Sequence, residues 1–388
     1  MTGSKMPNAY IGREQAYVKH TILKTYLQRL FMIVGQGKEA VINYVDCFSG
    51  PWKEGDERLI DTSIGVSLEQ MAKCQQSLKD SFGRETKFRA LYIEKDPIAF
   101  AKLKKFLSQQ PYPGIEVECL NGDYTELLGD IVSWCGGHFT FFFVDPTGWQ
   151  NVVGAKTMLP LLKLEKAEFL INLMYDFINR FIGHEKHTDD MIELFGDVPV
   201  FEDEKPEARR EILLALYRGN LGKYYQGRTA YVSIEKPGKS RVHYCLVYLT
   251  PHARGIDVFK TQAEGMEIVQ RITQQEYRLR QQLQQSDTAD MFGDDIEVPL
   301  SDDGYHDNRM MAKQYLLKRL SEEPTLIDWE VWADFLEESD LYPGDFQAAM
   351  KELVKDDRVK NIDADISRRR KNIIKPDWPK MSERWVLV

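Results

Sequence analysis

Four carboxylates stand where short apolar runs end: Asp46, Glu94, Asp123 and Asp145. The run VINYVDC (Val41 to Cys47) breaks at Phe48-Ser49-Gly50-Pro51. A carboxylate followed by small residues lets backbone approach a ligand closely, although one glycine after a strand is also simply a turn. Glu94 follows FRALYI. An acid there can accept from both hydroxyls of a ribose, or serve as a favourable charge at the start of the helix that Pro97 opens. Asp123, after Asn121-Gly122, can accept from an adenine amino group or close an Asx turn.

The sharpest local signal is Asp145-Pro146-Thr147-Gly148-Trp149, directly after HFTFFFV, the most hydrophobic short stretch in the chain. An aspartate ending such a strand is costly to desolvate without partners, and Pro146 removes a backbone donor. Asp145 and the carbonyl beside it can hold an amino group while its lone pair attacks a sulfonium methyl. Trp149 can stack on a nucleobase. The competing arrangement is a turn in which Asp145 caps the next helix and Trp149 enters the core.

Other clusters point less sharply. Gly183-His184-Glu185-Lys186-His187 lacks the His-Glu-x-x-His spacing that sets two imidazoles on one helix face, so it reads as a solvated helix end and no metal site is expected. Lys19-His20 alone is ordinary helix surface, and His252 reads as a loop residue. Arg368-Arg369-Arg370-Lys371, with Lys375 and Lys380 nearby, suits a wing touching phosphate or a solvated hairpin.

The elements that must position these residues alternate. Glu14 to Val34 has the apolar spacing of a helix, at Val18, Ile22, Tyr26, Leu30 and Ile33. Strands are predicted at Val41 to Cys47, Phe88 to Ile93, Ile115 to Leu120, His138 to Val144 and Glu168 to Met174, with helices at Ser63 to Lys73 and from Pro97 to about Leu107. Ala230 to Glu235 and Arg241 to Leu249 form a hairpin around Pro237-Gly238-Lys239. Strand–helix alternation closed by a hairpin predicts an α/β fold: a doubly wound, Rossmann-like sheet with an antiparallel edge. Ligands bind such sheets outside the carboxyl ends of the strands. All four carboxylates are placed there.

From about Glu276 to Gly304 a Gln-rich helical run gives way to an acidic linker. Beyond it, helices at Arg309–Leu320, Trp329–Leu336 and Pro343–Asp356, then extended segments near Val359–Ile362 and Trp385–Val388, predict a small α+β winged-helix-like domain. The expected division is a Rossmann domain over 1–275, a linker over 276–304 and the small domain over 305–388. The net charge of −9 argues against coating nucleic acid by bulk attraction, yet leaves room for a local basic face. Five scattered cysteines, no long apolar run and a polar N-terminus suggest a cytoplasmic chain with no disulfide framework and no membrane span.

Taken in order, several segments resemble the three-Cys-motif partner protein (TcmP) family. They are Lys19-His20-Thr21-Ile22-Leu23, Tyr44 to Pro51, Tyr92 to Pro97, Phe143 to Trp149, Leu170 to Met174, and TPHARGIDVFK from Thr250 to Lys260. The resemblance implies a fold like that of class I methyltransferases, which use S-adenosylmethionine (SAM), with a C-terminal winged helix. It implies SAM as cofactor, with Lys19, His20, Asp46, Phe48, Ser49 and Gly50 around it, Glu94 on the ribose and Asp123 near adenine. Asp145 and Pro146 align with the Asp/Asn-Pro-Pro-Tyr type of catalytic motif in nucleic-acid amino methyltransferases. The partner implied is a radical-SAM-like protein carrying CxxxCxxC.

Trp52 stands where a second glycine is usual, Asp61-Thr62-Ser63-Ile64 replaces Gly-Ser-Pro, and Thr147-Gly148 replaces Pro-Tyr. Two functions are therefore expected. One is a SAM-dependent methyltransferase acting on an amino group of a nucleic-acid base, DNA or RNA. The other is a non-catalytic Rossmann scaffold for the CxxxCxxC partner, favoured if Trp52 fills the cofactor pocket.

Overall fold

A computed structural model describes residues 6–50, 59, 61–109, 112–148, 152–239, 241–285, 303–367, 369–370, 372–376 and 383–388. The chain divides into two compact units, one spanning Ser4–Pro251 and the other running from His252 to Val388.

The first unit opens with α1 (Glu14–Gln36) and β1 (Val41–Asp46). There follow α2 (Ser63–Phe82), β2 (Lys87–Glu94), α3 (Pro97–Ser108), β3 (Ile115–Asn121), α4 (Leu128–Cys135) and β4 (Phe139–Val144). Next come α5 (Leu159–Leu162), β5 (Ala167–Leu173), α6 (Tyr175–Phe181), α7 (Thr188–Phe195) and α8 (Pro206–Gly222). The hairpin β6 (Arg228–Glu235) and β7 (Val242–Thr250) completes the unit. The seven strands form one sheet in the order β3-β2-β1-β4-β5-β7-β6. β1 to β5 pair in parallel, and β7 runs antiparallel to both β5 and β6. This is the Rossmann-like α/β class, with the strand order of a class I methyltransferase sheet and its antiparallel hairpin at one side.

Local chemistry explains the punctuation. Thr62 caps α2 by accepting from Gly65 N at 3.2 Å, and Gly83 ends that helix with φ +61°, where a Cβ would be strained. Asp96 caps α3, accepting from Ile98 N and Ala99 N at 3.0 and 2.7 Å, one residue before Pro97. Every residue of β4 and β5 is buried, as a strand covered by helices on both faces requires. Phe142 and Phe169 stack across these two strands at 4.9 Å. Glu168 in β5 is buried but satisfied: Tyr26, Tyr248 and Thr250 hydroxyls donate to it at 2.7, 2.9 and 2.7 Å.

The second unit starts with the long α9 (Ala253–Gln285), so position 275, the expected end of the first domain, falls inside a helix. Residues 286–302 of the expected linker lie outside the described residues. Then follow α10 (Asp303–Arg319), β8 (Thr325–Ile327), α11 (Trp329–Ser339), α12 (Pro343–Lys355), β9 (Val359–Asn361) and β10 (Glu383–Leu387). The three strands form an antiparallel sheet in the order β8-β10-β9. α9 is tied to α11 and α12 by Trp332 Nε1 donating to Asp257 at 2.8 Å and Tyr342 OH donating to Glu267 at 2.9 Å. Among the described residues, no helix is long and apolar enough to cross a membrane.

Candidate active site at the carboxyl edge of the sheet

Strand order reverses between β1 and β4, its two neighbours in the sheet being β2 on one side and β5 on the other. A crevice at such a reversal is where open α/β sheets bind ligands. Asp46 ends β1, and Asp145 follows β4.

Asp46 is fully buried. Its Oδ1 accepts from Phe48 N at 3.1 Å, while Oδ2 makes no well-formed hydrogen bond. Burial pushes its carboxyl up to about 7; the Ser63 hydroxyl and the Phe48 N–H oppose that rise, and the charge of Asp145 adds to it. An unsatisfied carboxylate oxygen at a strand end carries a standing cost that a donor or a cation arriving from outside would remove. Ser49 fixes the following loop: its hydroxyl donates to Asp46 O at 3.1 Å and its N–H to Ile93 O at 2.8 Å. Phe48 packs its ring 5.3 Å from that of Tyr124. Gly50 lies so close to Glu94 that a Cβ there would collide with Glu94 Oε2. Two of the expected cofactor residues thus lie side by side, and a larger residue at position 50 would have to move the Glu94 carboxylate.

Glu94 is buried, and its Oε1 accepts from Asp96 N at 2.7 Å. The helix cap is Asp96, so Glu94 is not spent on that role. Ile98, in the first turn of α3, is 70% exposed. Asp123 is placed next along the edge, since Gly122 N and Asn121 Nδ2 both donate to Glu94 O, at 3.2 and 2.8 Å. Its own oxygens serve its turn: Lys95 holds Oδ2 at 2.7 Å, and Thr125 N and Oγ1 hold Oδ1 at 3.0 and 2.7 Å. Those bonds, Lys95 first, draw its carboxyl down to about 2.

On the other side of the reversal, Lys19 of α1 reaches Asp145 Oδ2 at 2.5 Å, and Asn172 of β5 donates to Oδ1 at 2.6 Å. The Asp145 side chain is 18% exposed and Pro146 is buried. Lys19 therefore lies against the β4 carboxylate, and its charge also reaches Asp46. His20 is turned inward, with Tyr10 OH 3.2 Å from its Nδ1. Burial first, then the Lys19 charge, drives its imidazole down to about 3, so it stays neutral at physiological pH. Trp52 and Trp149 both lie outside the described residues.

Asp123, Glu94, Asp46 and Asp145 thus stand at the ends of four adjacent strands, in the order β3, β2, β1, β4. Asn172 and Lys19 join them. Sequence spacing could not single out either contact with Asp145, because these partners stand 27 and 126 residues away.

A second polar cluster continues the same edge. Asp176 in α6, 2% exposed, receives Lys236 at 2.6 Å, Arg180 at 3.2 Å and Arg241 at close range. Burial alone would raise its carboxyl, but these three cations outweigh it and hold it below the ordinary value. Beside them His243 is half-buried, with an Nδ1 that finds no hydrogen-bond partner. Its imidazole is held down by burial and then by the Lys236 charge.

The histidine-rich turn behaves as helix-end structure: His187 Nδ1 pairs with Asp190 at 2.9 Å and its ring packs 4.9 Å from Phe181. Among the described residues, no group of His, Cys, Asp or Glu could hold a metal ion. In the second unit, Arg369 forks onto Glu383 and also donates to Ile373 O at 2.9 Å, with 15% of its side chain exposed. It serves the small sheet. Arg370 is exposed, and Arg368 and Lys371 lie outside the described residues.

The sequence matches no protein-family model and no curated protein. Among solved structures, the chain is similar to M. jannaschii TYW2 in complex with AdoMet, at 15% identity and a TM-score of 0.26, over 57% of this chain and 72% of that one. It is similar as well to the N-terminal domain of EvdMO1 with SAH bound, at 10% identity and a TM-score of 0.29, over 57% of this chain and 78% of that one.

Proposed function

We propose that this chain is a SAM-dependent methyltransferase directed at an amino group of a nucleic-acid base. One observation carries the reading: Asp46 Oδ2 is buried and unsatisfied at the point where strand order reverses, beside a loop whose Gly50 presses on Glu94. The residues fit the cofactor in kind. Glu94 offers carboxylate oxygen to a ribose, Ile98 offers an apolar floor to a purine, and Asp46 offers an acceptor to a cationic ligand.

SAM, when bound, supplies a methyl group on an electrophilic sulfonium. The chain's task is then to orient an amine. Lys19 and Asn172 occupy one site on each Asp145 oxygen and lock the side chain. A carboxylate has about four acceptor sites, so two remain for the target amine, together with the Pro146 carbonyl. Fixing donor and acceptor in a near-attack geometry supplies most of the acceleration such a transfer needs.

Calorimetric titration with S-adenosylhomocysteine (SAH), followed by transfer of labelled methyl from SAM to RNA and DNA, tests the proposal. Saturable SAH binding weakened by Glu94→Ala is expected, and no heat at millimolar ligand overturns it.

A second reading rests on the same Asp145 contacts. A carboxylate already met by Lys19 and Asn172 needs no substrate to be satisfied, which favours a non-catalytic scaffold paired with a CxxxCxxC radical-SAM-like protein. The helix–strand–helix–helix–strand–strand order after α9 supports a winged helix there, with Arg370 turned to nucleic acid. SAH binding without methyl transfer, joined to stable co-purification with that partner, selects this reading.

A further inference from the structure

Asp46 and Asp145 stand at the ends of neighbouring strands and share one cation unequally. Lys19 Nζ lies 2.5 Å from Asp145 Oδ2, and Asn172 Nδ2 donates to Oδ1 at 2.6 Å, so the β4 carboxylate is both neutralised and bonded. Asp46 is not. Phe48 N reaches its Oδ1 at 3.1 Å, and the buried Oδ2 makes no well-formed hydrogen bond. Of the charged groups, Asp145 and Lys19 both act on it, and the repulsion from Asp145 is the larger.

The titratable groups beside it on β1 and β2 bring no charge to offset its own. Tyr44, Tyr92 and the Cys47 thiol all feel the Asp46 carboxylate, and burial pushes each of them up, so they stay neutral at physiological pH. From α2, Ser63 contributes a hydroxyl dipole. A carboxyl so placed is held at lower cost as the neutral acid than as an anion. Burial accordingly raises it to about 7.

Position gives that proton a use. On the methyltransferase reading, the ribose sits at Glu94, at the end of β2, and the target amine at Asp145, beyond β4. β1 lies between those strands, and adjacent strands are about 4.8 Å apart. The sulfur that joins ribose to the transferred methyl group therefore spans the end of β1. Asp46 is fully buried there, so it is reached by the ligand's charge rather than by contact. SAM carries a sulfonium at that sulfur and SAH a neutral thioether; their adenosyl and amino-acid parts are the same. Opposite unit charges about 6 Å apart, at an effective dielectric of about 20, change an equilibrium about a hundredfold.

We propose that Asp46 is a charge sensor for the cofactor, giving up its proton to solvent when SAM binds and keeping it when SAH binds. This role rests on the methyltransferase reading. During transfer the sulfonium charge disappears and the methylated nitrogen sheds one proton; Asp46 regains one, so the net charge of the site does not change. The site thereby prefers SAM to its spent form, and the preference grows with pH.

Calorimetric titration of the full chain with SAM and with SAH, at about pH 6, 7 and 8 in two buffers of different ionisation heat, counts the protons. Because Asp46 titrates at about 7 in the free chain, SAM binding at pH ~6 should release close to one proton more than SAH binding. The ratio of SAM to SAH affinity should rise about tenfold from pH ~6 to pH ~8. Groups that titrate alike with both ligands cancel in that ratio. Asp46→Asn should make the ratio flat, and the wild-type measurement decides alone if that variant folds poorly. A wild-type ratio independent of pH, or equal proton counts for the two ligands, overturns the proposal. So does a rise that persists in Asp46→Asn. SAH binding with a flat ratio leaves the methyltransferase reading intact, whereas no heat with either ligand at millimolar concentration overturns both.

Discussion

Lys19 serves two strand ends at once: its Nζ lies 2.5 Å from Asp145 Oδ2, and its charge acts on Asp46 one strand away. Helix α1 thereby delivers the cation that lets two carboxylates stand close together beside the reversal of strand order. Lys19→Met removes that cation from a setting in which the side chains of the pair are 14% and 18% exposed. Urea unfolding should show a loss of about 2 kcal/mol, with the carboxylate left to Asn172 alone. Stability equal to wild type would show that the pair contributes nothing net.

Asp46 predicts a pH dependence. Burial pushes its carboxyl up to about 7 in the folded chain, well above the ordinary range of an aspartate. The folded state therefore keeps a proton that the unfolded state releases, and the stabilising contribution is complete below pH ~4 and lost as pH rises through ~7. Over that window wild type should lose up to about 1.4 kcal/mol per pH unit relative to Asp46→Asn, which cannot ionise. Denaturation of both proteins at several pH values reads the difference directly; a flat difference means that Asp46 titrates normally.

Gly50→Ala should separate ligand binding from stability. The added Cβ meets the far end of Glu94, a flexible side chain, so the fold can yield by moving Glu94 away. The melting temperature should change little, while SAH affinity falls by about tenfold, equivalent to 1.4 kcal/mol. Unaltered affinity would place the ribose elsewhere.

Arg369 and Glu383 predict the reverse pattern in the second unit. Their forked pair is 15% and 10% exposed, and Asn361 adds a bond to Glu383 at 2.9 Å. Arg369→Ala should destabilise that unit by about 3 kcal/mol by leaving Glu383 buried and short of partners. Arg370→Ala, on an exposed side chain, should change stability by less than about 0.5 kcal/mol. Thermal unfolding of the two variants compares them.

The parallel strands were legible because burial on both faces leaves an apolar run with no alternation; FTFFFV and EFLINL announce themselves. The strand-end acids were legible for the same reason, as charges abutting such runs. Asp123 illustrates the limit: its position was clear, but its commitment to Lys95 and Thr125 depends on a neighbouring loop. Arg369 reads as part of a basic run until Glu383, fourteen residues on, is seen to claim it. The Asp176 cluster had no local mark at all. Its cations come from α6 and from the β6–β7 turn, as many as 65 residues away, and only the placement of β7 beside β5 brings them together.

That placement also governs the order of assembly. β6 is synthesised before β7, its one strand partner among the described residues, so it can join the sheet only after the chain has passed through β7 to Thr250. Until then β5 keeps an unpaired and mostly apolar edge, the kind of surface that invites pairing with a wrong partner. β7 must reach β5 to cover that edge. Lys236 and Arg241, flanking the β6–β7 turn, reach Asp176 only in that docked arrangement, so their ion pairs report whether the antiparallel edge has closed.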